Sequence, residues 1–345
     1  MASMIPPPGM TAARHIAIRE AWLDQHQEPI LDPALPIIDP HHHIWDQSDQ
    51  RYLLPELLAD TDTGHDIRAT VFIQCGSQYD MAEAPERRPL GETRFMTRVA
   101  EAAEGGRTRA CAGIVGLVDL TLGDRVTPLL EEHVAIAGGR FRGVRNRTAW
   151  DASPLVRSNL ESPPPGPLPL PALREGARRL AAMGLTLDVW AYHPQLPQVL
   201  EVARAVPELT LIVDHCGGPV GVGPYRHDEV FATWHAAIKA LAACPNVMMK
   251  LGGLAMEVGG YKFHEAALPP SSEALAMAWR PTIEACIEAF GAGRCMFESN
   301  FPVDKGMCSY PVLWNAFKRL AAGASASERT ALFSGTAARV YRLTI

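Results

Sequence analysis

The sequence lacks the features that define several large classes of protein. No segment approaches the roughly 18 consecutive apolar residues of a membrane span, so a transmembrane protein is excluded. Lysine and arginine together number 32 against 38 for aspartate and glutamate, and no basic run occurs, so we do not expect nucleic acid as a partner. The N-terminus has no basic segment followed by an apolar core, which argues against a secretory signal.

Motifs of other enzyme classes are also missing. No GxSxG sequence is present, which disfavours a serine hydrolase. No glycine-rich turn follows the first strand-like segment, so an open doubly wound sheet is the weaker of two candidate folds. The seven cysteines are scattered without a CxxC pair. They indicate reduced thiols, typical of a cytoplasmic protein, rather than disulfides or a zinc ribbon.

Short β-branched apolar segments alternate with segments of helical spacing along most of the 345 residues. Continuous apolar strands are typical of a parallel sheet buried on both faces. Eight of them predict a single α/β domain, a (β/α)8 TIM barrel, over residues 36–345, after an N-terminal extension over residues 1–35. The predicted strands are Ile37–His41, Thr70–Cys75, Ala112–Val118, Phe141–Arg145, Thr186–Tyr192, Thr210–Asp214, Val247–Leu251 and Cys295–Ser299.

The segments outside these strands carry weaker predictions. Residues 1–10 are rich in proline and predict disorder, whereas residues 12–26 are compatible with a helix that ends before Pro29. We expect this extension to pack on the outside of the domain or on a second subunit. Long loops are predicted over residues 151–172 and 252–280; the second follows a strand and therefore lies on the face where barrel enzymes carry out chemistry.

The clearest chemical signal is the Asp-Pro-His-His-His run at residues 39–43, at the end of the first predicted strand. Since alternate residues of a strand share a face, Asp39, His41 and His43 should point into the barrel and His42 toward the helices. Two imidazoles two residues apart at a barrel mouth are placed to hold one divalent metal ion. The alternative is a pair of histidines hydrogen-bonded within a polar loop.

Further polar residues end later strands, and all would meet at one mouth in a closed barrel. Cations there would bind a substrate carboxylate or polarise a carbonyl, or else balance the charge of buried carboxylates. Aromatic side chains on the following loops would wall the pocket. The histidines are His193 after strand five and His215 after strand six, the cations are Arg145 and Lys250, and the aromatic residues are Trp45, Tyr225 and Tyr261.

At these residues the chain resembles the amidohydrolase superfamily, in particular the group that contains sugar-acid lactonases and the pyrone-dicarboxylate lactonase. The resemblance implies a distorted (β/α)8 barrel that hydrolyses lactones, less often amides, or decarboxylates acids. It also implies one zinc or manganese ion in some members and none in others. The motifs that carry it are Asp39-Pro-His41-His-His43, Gly143-Val-Arg145, Gln195-Leu-Pro197, Asp214-His215, Lys250-Leu-Gly and Ser299-Asn-Phe-Pro302.

One departure from the resemblance concerns the proton acceptor. Members of the group usually have an aspartate at the end of strand eight, where this chain has Asn300, and an amide cannot act as a base. Two carboxylates are candidates to replace it. Asp304 follows the strand and is the favoured base, while Glu298 is expected to be a metal ligand or to support one. The competing interpretation gives both residues structural ion pairs.

Together these observations predict a cytoplasmic hydrolase that opens a small, anionic lactone with an activated water. One divalent ion, zinc or manganese, would be held by His41, His43, His193 and Glu298, with Asp304, His215 and Lys250 as catalytic residues. Substrate would contact Arg145, Trp45, Tyr225 and Tyr261. A metal-free mechanism, a metal-dependent decarboxylase of an aromatic or enol acid, an amide hydrolase and a silent ligand-binding barrel remain as alternatives. A homo-oligomer is possible, and no membrane is expected as a partner.

Overall fold

The computed structural model describes residues 15–47, 50–157 and 171–344. Its centre is a parallel sheet of eight strands, each paired with the next one in the chain. The eight segments predicted from the sequence are all strands, with bounds that differ by a few residues. They are β1 (Pro36–His42), β2 (Asp66–Ile73), β3 (Arg109–Gly116), β4 (Phe141–Arg147), β5 (Thr186–Trp190), β6 (Leu211–Val213), β7 (Val247–Leu251) and β8 (Cys295–Phe297).

The sheet closes into a barrel between its first and last strands. His42 forms a parallel bridge with Phe301, and the amide of His43 donates to the Phe301 carbonyl at 2.7 Å. The amide of Asn300 donates to the carbonyl of His41 at 2.9 Å. These bonds bring the end of β8 beside the histidines of β1, and they confirm the predicted (β/α)8 barrel.

Helices surround the barrel and cover the apolar outer faces of its strands. In the helix His227–Ala242, for example, Val230, Trp234, Ile238 and Leu241 recur at helical spacing and are buried. The helices are α1 (Glu20–Leu23), α2 (Leu54–Thr61), α3 (Pro89–Ala102), α4 (Val126–Ile136), α5 (Pro171–Ala182), α6 (Leu196–Ala205), α7 (His227–Ala242), α8 (Ser272–Phe290), α9 (Tyr310–Leu320), α10 (Ala326–Thr330) and α11 (Thr336–Val340).

A separate apolar cluster fills the inside of the barrel. It contains Ile38, Val71, Val115 and Met296 from the strands, and Tyr341 after α11 packs against it. The last segment of the chain therefore closes one end of the barrel, and the polar residues at the carboxyl ends of the strands occupy the other.

Several details differ from the sequence-based expectations or lie outside the described residues. Of the predicted helix over 12–26, residues 12–14 lie outside the described residues, and the remainder contains a single helical turn, α1. A short hairpin of Trp45–Gln47 and Gln50–Tyr52 follows β1. The proline-rich segment 1–10 and most of the predicted loop 151–172 lie outside the described residues.

Among the described residues, no helix combines the length and the apolar character needed to cross a membrane.

Candidate active site at the mouth of the barrel

The two histidines that flank His42 face each other at the end of β1. The Nε2 atoms of His41 and His43 lie 3.3 Å apart, and both side chains are buried. The Nδ1 atom of His43 lies 2.8 Å from the Ile73 carbonyl, to which it can only donate. This bond fixes the tautomer of His43, so its Nε2 presents a lone pair toward His41.

His42 belongs to a different environment, as the alternation of the strand predicts. Its Nε2 atom lies 2.8 Å from the Thr70 hydroxyl, and its ring packs at an angle against Phe72. The Asp39 carboxyl group accepts the backbone amide of His41 at 3.3 Å and is bound by two further donors. It accepts hydrogen bonds from the Ser299 amide at 3.0 Å and the Tyr310 hydroxyl at 3.0 Å. The register of β1 shifts between Asp39 and His42, so simple alternation does not carry through this segment.

Glu298 joins two histidines from different strands. Its Oε1 atom lies 2.7 Å from His215 Nδ1 and accepts the His215 amide at 3.0 Å, while Oε2 lies 2.7 Å from His41 Nδ1. All three side chains are buried, and burial raises the pKa of Glu298 to about 8. A carboxyl with that pKa retains a proton at neutral pH, which removes the repulsion between Oε2 and the nitrogen of His41.

Lys250 lies on the same side of His41 as Glu298. Its ammonium donates to His41 Nδ1 at 3.2 Å and to Asp188 at 2.8 Å, and it lies 3.2 Å from Asp214. Burial alone would lower the pKa of Lys250, but the carboxylates of Asp188 and Asp214 outweigh this effect and raise it. Lys250 is therefore an ammonium ion without access to solvent. Tyr341 completes the network by donating to Asp188 at 2.6 Å.

The three histidines of the cluster are held neutral. Burial lowers the pKa of His215 to about 3, and it lowers the pKa values of His41 and His43 well below their usual range. The charge of Arg145 acts in the same direction on the pKa values of His41 and His43, and Lys250 adds to the effect on His41. Neutral imidazoles are the form that binds metal ions and accepts protons.

Asn300 and Asp304 form a pair beside this cluster. The Asn300 amide donates to Asp304 Oδ1 at 2.8 Å, and the Ala255 amide donates to Asp304 Oδ2 at 3.1 Å. Asp304 is fully buried, and burial raises its pKa well above the usual value despite these two bonds. Asp304, the base predicted from the sequence, thus has both carboxyl oxygens engaged in hydrogen bonds.

His193 follows β5, as predicted, but its contacts differ from those of the other histidines. The backbone amide of Val220 donates to His193 Nδ1 at 3.3 Å, so Nδ1 is the unprotonated nitrogen and neutral His193 carries its proton on Nε2. Its ring packs edge-on against Tyr225 at 5.0 Å. A protonated Nε2 suits a hydrogen-bond donor to substrate better than a metal ligand.

The three predicted aromatic residues occupy different places. Trp45 is buried and stacks on His43, with ring centroids 5.6 Å apart. Tyr225 donates to Asp151 at 2.6 Å and lines a cavity of about 490 Å³ beside His193. Tyr261 packs against His227 and the Trp279 ring of α8. The structure thus brings Trp45 to the histidines and Tyr225 to His193, while the ring contacts of Tyr261 are with residues outside both groups.

Three residues of the cluster are not among the site residues predicted from the sequence: Asp188, Asp214 and Tyr341. Asp188 and Asp214 are charged residues at the interior and the end of otherwise apolar strands, and this is the signal that could have found them. Tyr341 has no such signal, because it lies more than 150 positions from Asp188 in the sequence and meets it only when the barrel closes.

Two overlapping groups of side chains at the mouth offer ligands of the kind that zinc binds: the pair His41 and His43, and the group of His41, Asp214 and His215. His41, Asp214 and His215 each offer a ligand atom, and these atoms all lie within 4.8 Å of one another. Neither oxygen of Asp214 accepts a hydrogen bond from the described residues, although both are buried. The ammonium of Lys250 already occupies the Nδ1 side of His41, so the Nε2 side, which faces His43, is the more favourable place for a cation.

Comparison with known proteins agrees with the architecture of this mouth. The family model of the amidohydrolases matches residues 38–343. The chain belongs to the amidohydrolase family. It is a hydrolase of this family, and the match includes every residue of the histidine cluster.

Two curated relatives and one solved structure are informative. An uncharacterized protein of Sinorhizobium fredii is 34% identical over 329 residues, which are 89% of this chain and 98% of the relative. An L-fucono-1,5-lactonase of Burkholderia multivorans is 32% identical over 234 residues, 67% of this chain and 72% of the relative. The crystal structure of an amidohydrolase from Burkholderia multivorans with bound zinc is 26% identical, with a TM-score of 0.69 over 89% of this chain and 99% of that chain.

Proposed function

We propose that this hydrolase opens a small lactone by adding water to the ring carbonyl. The observation that carries the proposal is the buried cluster of three neutral imidazoles, two cations and three carboxyl groups at the barrel mouth. The relationship to an L-fucono-1,5-lactonase supports a cyclic ester as substrate. The buried guanidinium of Arg145, whose charge reaches His41 and His43, supports a substrate that carries a carboxylate.

His41 and His43 would hold one divalent ion through their Nε2 atoms. The 3.3 Å between these atoms is close to the spacing of two nitrogen ligands that each lie about 2.1 Å from one tetrahedral ion. Moving the proton of His41 to Nδ1 would give it an acceptor in Glu298, 2.7 Å away. When bound, such an ion lowers the pKa of water and polarises a carbonyl.

His215 is the proposed proton acceptor. Its Nδ1–H donates to Glu298 at 2.7 Å, which leaves the lone pair on Nε2, and its ring centroid lies 4.6 Å from that of His41. A carboxylate that orients an imidazole also stabilises the imidazolium formed when the base accepts a proton. In this role Glu298 supports two histidines instead of binding the ion itself.

The remaining groups orient the substrate and the histidines. Lys250, fixed by Asp188 and Asp214, supplies a buried positive charge to the cluster, and its hydrogen bond to His41 Nδ1 would give way to the bond with Glu298 once Nδ1 carries the proton. His193 donates from Nε2 to a substrate oxygen. Asp304 holds the Asn300 amide in one orientation rather than accepting the proton directly.

A metal analysis followed by a panel of lactones tests the proposal. Purified protein is analysed for bound zinc and manganese, and acid release is then measured with neutral sugar lactones and with lactones that carry a carboxylate. His215→Asn should lower kcat by roughly 10²–10⁴ with its metal content unchanged, since this is the usual contribution of a general base. His41→Asn should lose the metal. The exposed His227 provides a matched control, and His227→Gln should change neither quantity.

Three outcomes would contradict the assignment. Loss of metal in His215→Asn would make His215 a ligand. Release of carbon dioxide without a ring-opened acid would favour a decarboxylase. Absence of turnover on every lactone, with amides hydrolysed instead, would replace the substrate class.

A further inference from the structure

The segment before the barrel, residues 15–32, lies across the face that carries the histidines; we refer to it as the strap. Trp22 donates to the Ala266 carbonyl at 3.2 Å, in the loop after β7. Glu20 pairs with Lys305 at 3.1 Å, in the loop after β8. The strap begins before residue 38, where the match to the family model starts, so the family does not define its role.

The strap approaches the loop after β8 so closely that a side chain could not fit between them. A Cβ atom added to Gly306 would lie 2.6 Å from both the carbonyl oxygen and the Cβ atom of Ile16. Trp22 and Leu23 are buried, and the Arg19 guanidinium lies 4.3 Å from the Trp22 ring. These contacts fix the path of the strap next to the mouth.

At its first described residue the strap reaches the histidine pair through one intermediate ring. His15 stacks on Trp45 with ring centroids 5.3 Å apart and an angle of 6° between the planes. The other neighbour of Trp45 is His43, at 5.6 Å and 16°. Trp45 therefore links His15 to His43 through two near-parallel ring contacts, and we refer to the three rings as the column.

We infer that the strap is a positioning element of the active site, in which His15 holds Trp45 and Trp45 holds the His43 imidazole. Besides its edge-on contact with His41, the His43 ring is oriented by the hydrogen bond from Nδ1 to the Ile73 carbonyl and by its near-parallel contact with Trp45. Removing His15 takes away one of the two rings that lie nearly parallel to Trp45, so the indole is held less firmly. The inference rests on the proposed role of His43 as a metal ligand.

The test compares four variants of the full-length protein. His15→Ala removes the outer ring of the column, and His15→Phe restores a flat ring without the imidazole nitrogens. Gly306→Ala displaces the strap without changing any residue in it, because the added methyl group meets Ile16. Gln27→Ala changes an exposed residue of the strap and is the matched control.

Two measurements are made on each variant. The first is zinc affinity, by competition with a chromophoric chelator. The second is the solvent exchange rate of the His43 Nδ1 proton, followed by NMR, which requires neither metal nor turnover. His15→Ala and Gly306→Ala should bind zinc roughly 10-fold more weakly, the lower range for groups that orient a metal ligand, and should exchange this proton faster. His15→Phe should lie within about twofold of the wild type, and Gln27→Ala should match it.

The outcomes separate this inference from the proposed function. Unchanged zinc affinity and unchanged proton exchange in His15→Ala would overturn the positioning role while leaving the metal site intact. A His15→Phe variant as impaired as His15→Ala would overturn stacking as the cause. A wild-type protein that binds no zinc would refute the proposed metal site, and the exchange rates would still decide whether the strap orders His43.

Discussion

The pairing of Asn300 with Asp304 allows a sharp test, in which the amide and the carboxyl group exchange places. In the wild type an amide faces a carboxyl group across a hydrogen bond of 2.8 Å. In Asn300→Asp two carboxyl groups face each other at this place, and in Asp304→Asn two amide groups face each other. The double variant Asn300→Asp/Asp304→Asn keeps one of each and reverses the direction of the hydrogen bond. The side-chain carbonyl of the asparagine introduced at position 304 can still accept from the Ala255 amide.

The magnitudes follow from these contacts. Two ionised carboxylates 2.8 Å apart repel by about 6 kcal/mol at an effective dielectric constant of about 20, which corresponds to about 4 pKa units. The Asn300→Asp pair must therefore keep at least one proton at neutral pH. In the folded variant the pKa of this carboxyl pair is raised above its value in the unfolded chain. The folded variant is therefore most stable at low pH, and its free energy of unfolding falls as the pH rises from the unfolded pKa to the folded pKa. Between pH 5 and pH 8 this loss should reach about 3 kcal/mol relative to the wild type.

Urea unfolding at pH 5 and pH 8 measures the effect. The double variant should resemble the wild type at both pH values, because all the hydrogen bonds are kept. Asp304→Asn should be about 1–3 kcal/mol less stable than the wild type at pH 5, because one of its two donors then faces an amide N–H group. This deficit should shrink at pH 8, because the raised pKa of Asp304 lowers the stability of the wild type as the pH rises. Asn300→Asp should be the only variant whose deficit grows with pH. If its deficit is the same at pH 5 and pH 8, the two side chains do not share a proton and the reasoning fails.

Three further predictions concern buried groups around the barrel. Burial lowers the pKa of folded His133 from 6.5 to about 4. Between pH 7 and pH 5 the free energy of unfolding of the wild type should therefore fall by about 2 kcal/mol relative to that of His133→Gln, as measured by urea unfolding at each pH. Gly253→Ala should abolish lactone turnover, because the added Cβ atom would lie 2.3 Å from the His215 ring. Gly291→Ala is the control: Gly291 also has a positive φ but has open space around it, so this variant should retain turnover. Tyr341→Phe should lower the free energy of unfolding by about 1–3 kcal/mol, since Asp188 loses a buried donor; an unchanged value would remove Tyr341 from the Lys250 network.

The barrel could be predicted from the sequence because its signal is local. Each strand is a short run of apolar residues, and the polar residues at the carboxyl ends of the strands must meet once the sheet closes. This reasoning places His41, His43, His215, Glu298 and Lys250 in one region, and the structure brings these five side chains together.

The tautomers and the partners could not be predicted in the same way. Whether His193 can bind a metal depends on the backbone amide of Val220, 27 residues away, which fixes its protonated nitrogen. The sequence predicts a helix over residues 12–26, packed on the outside of the domain or on a second subunit. In the described part of the strap the α-helix is limited to α1, and Trp22 and Glu20 of this turn bind the loops after β7 and β8. The protonated nitrogen of His193 and the packing of the strap both depend on contacts between segments that are distant in the sequence. The spacing of apolar residues along the chain carries no information about such contacts.

Charge balance connects the architecture to the proposed substrate. Lys250 and Arg145 contribute two positive charges at the mouth, which Asp188 and Asp214 offset, while protonated Glu298 and the imidazoles are neutral. A divalent ion would add two positive charges to this buried site. Loss of the Glu298 proton would compensate for one of these charges. The resulting carboxylate is placed to accept a hydrogen bond from the Nδ1–H group that His41 would then carry. The charge of Arg145 reaches both His41 and His43, and this guanidinium is the group that would bind a carboxylate on the substrate, so the panel of lactones should favour anionic members.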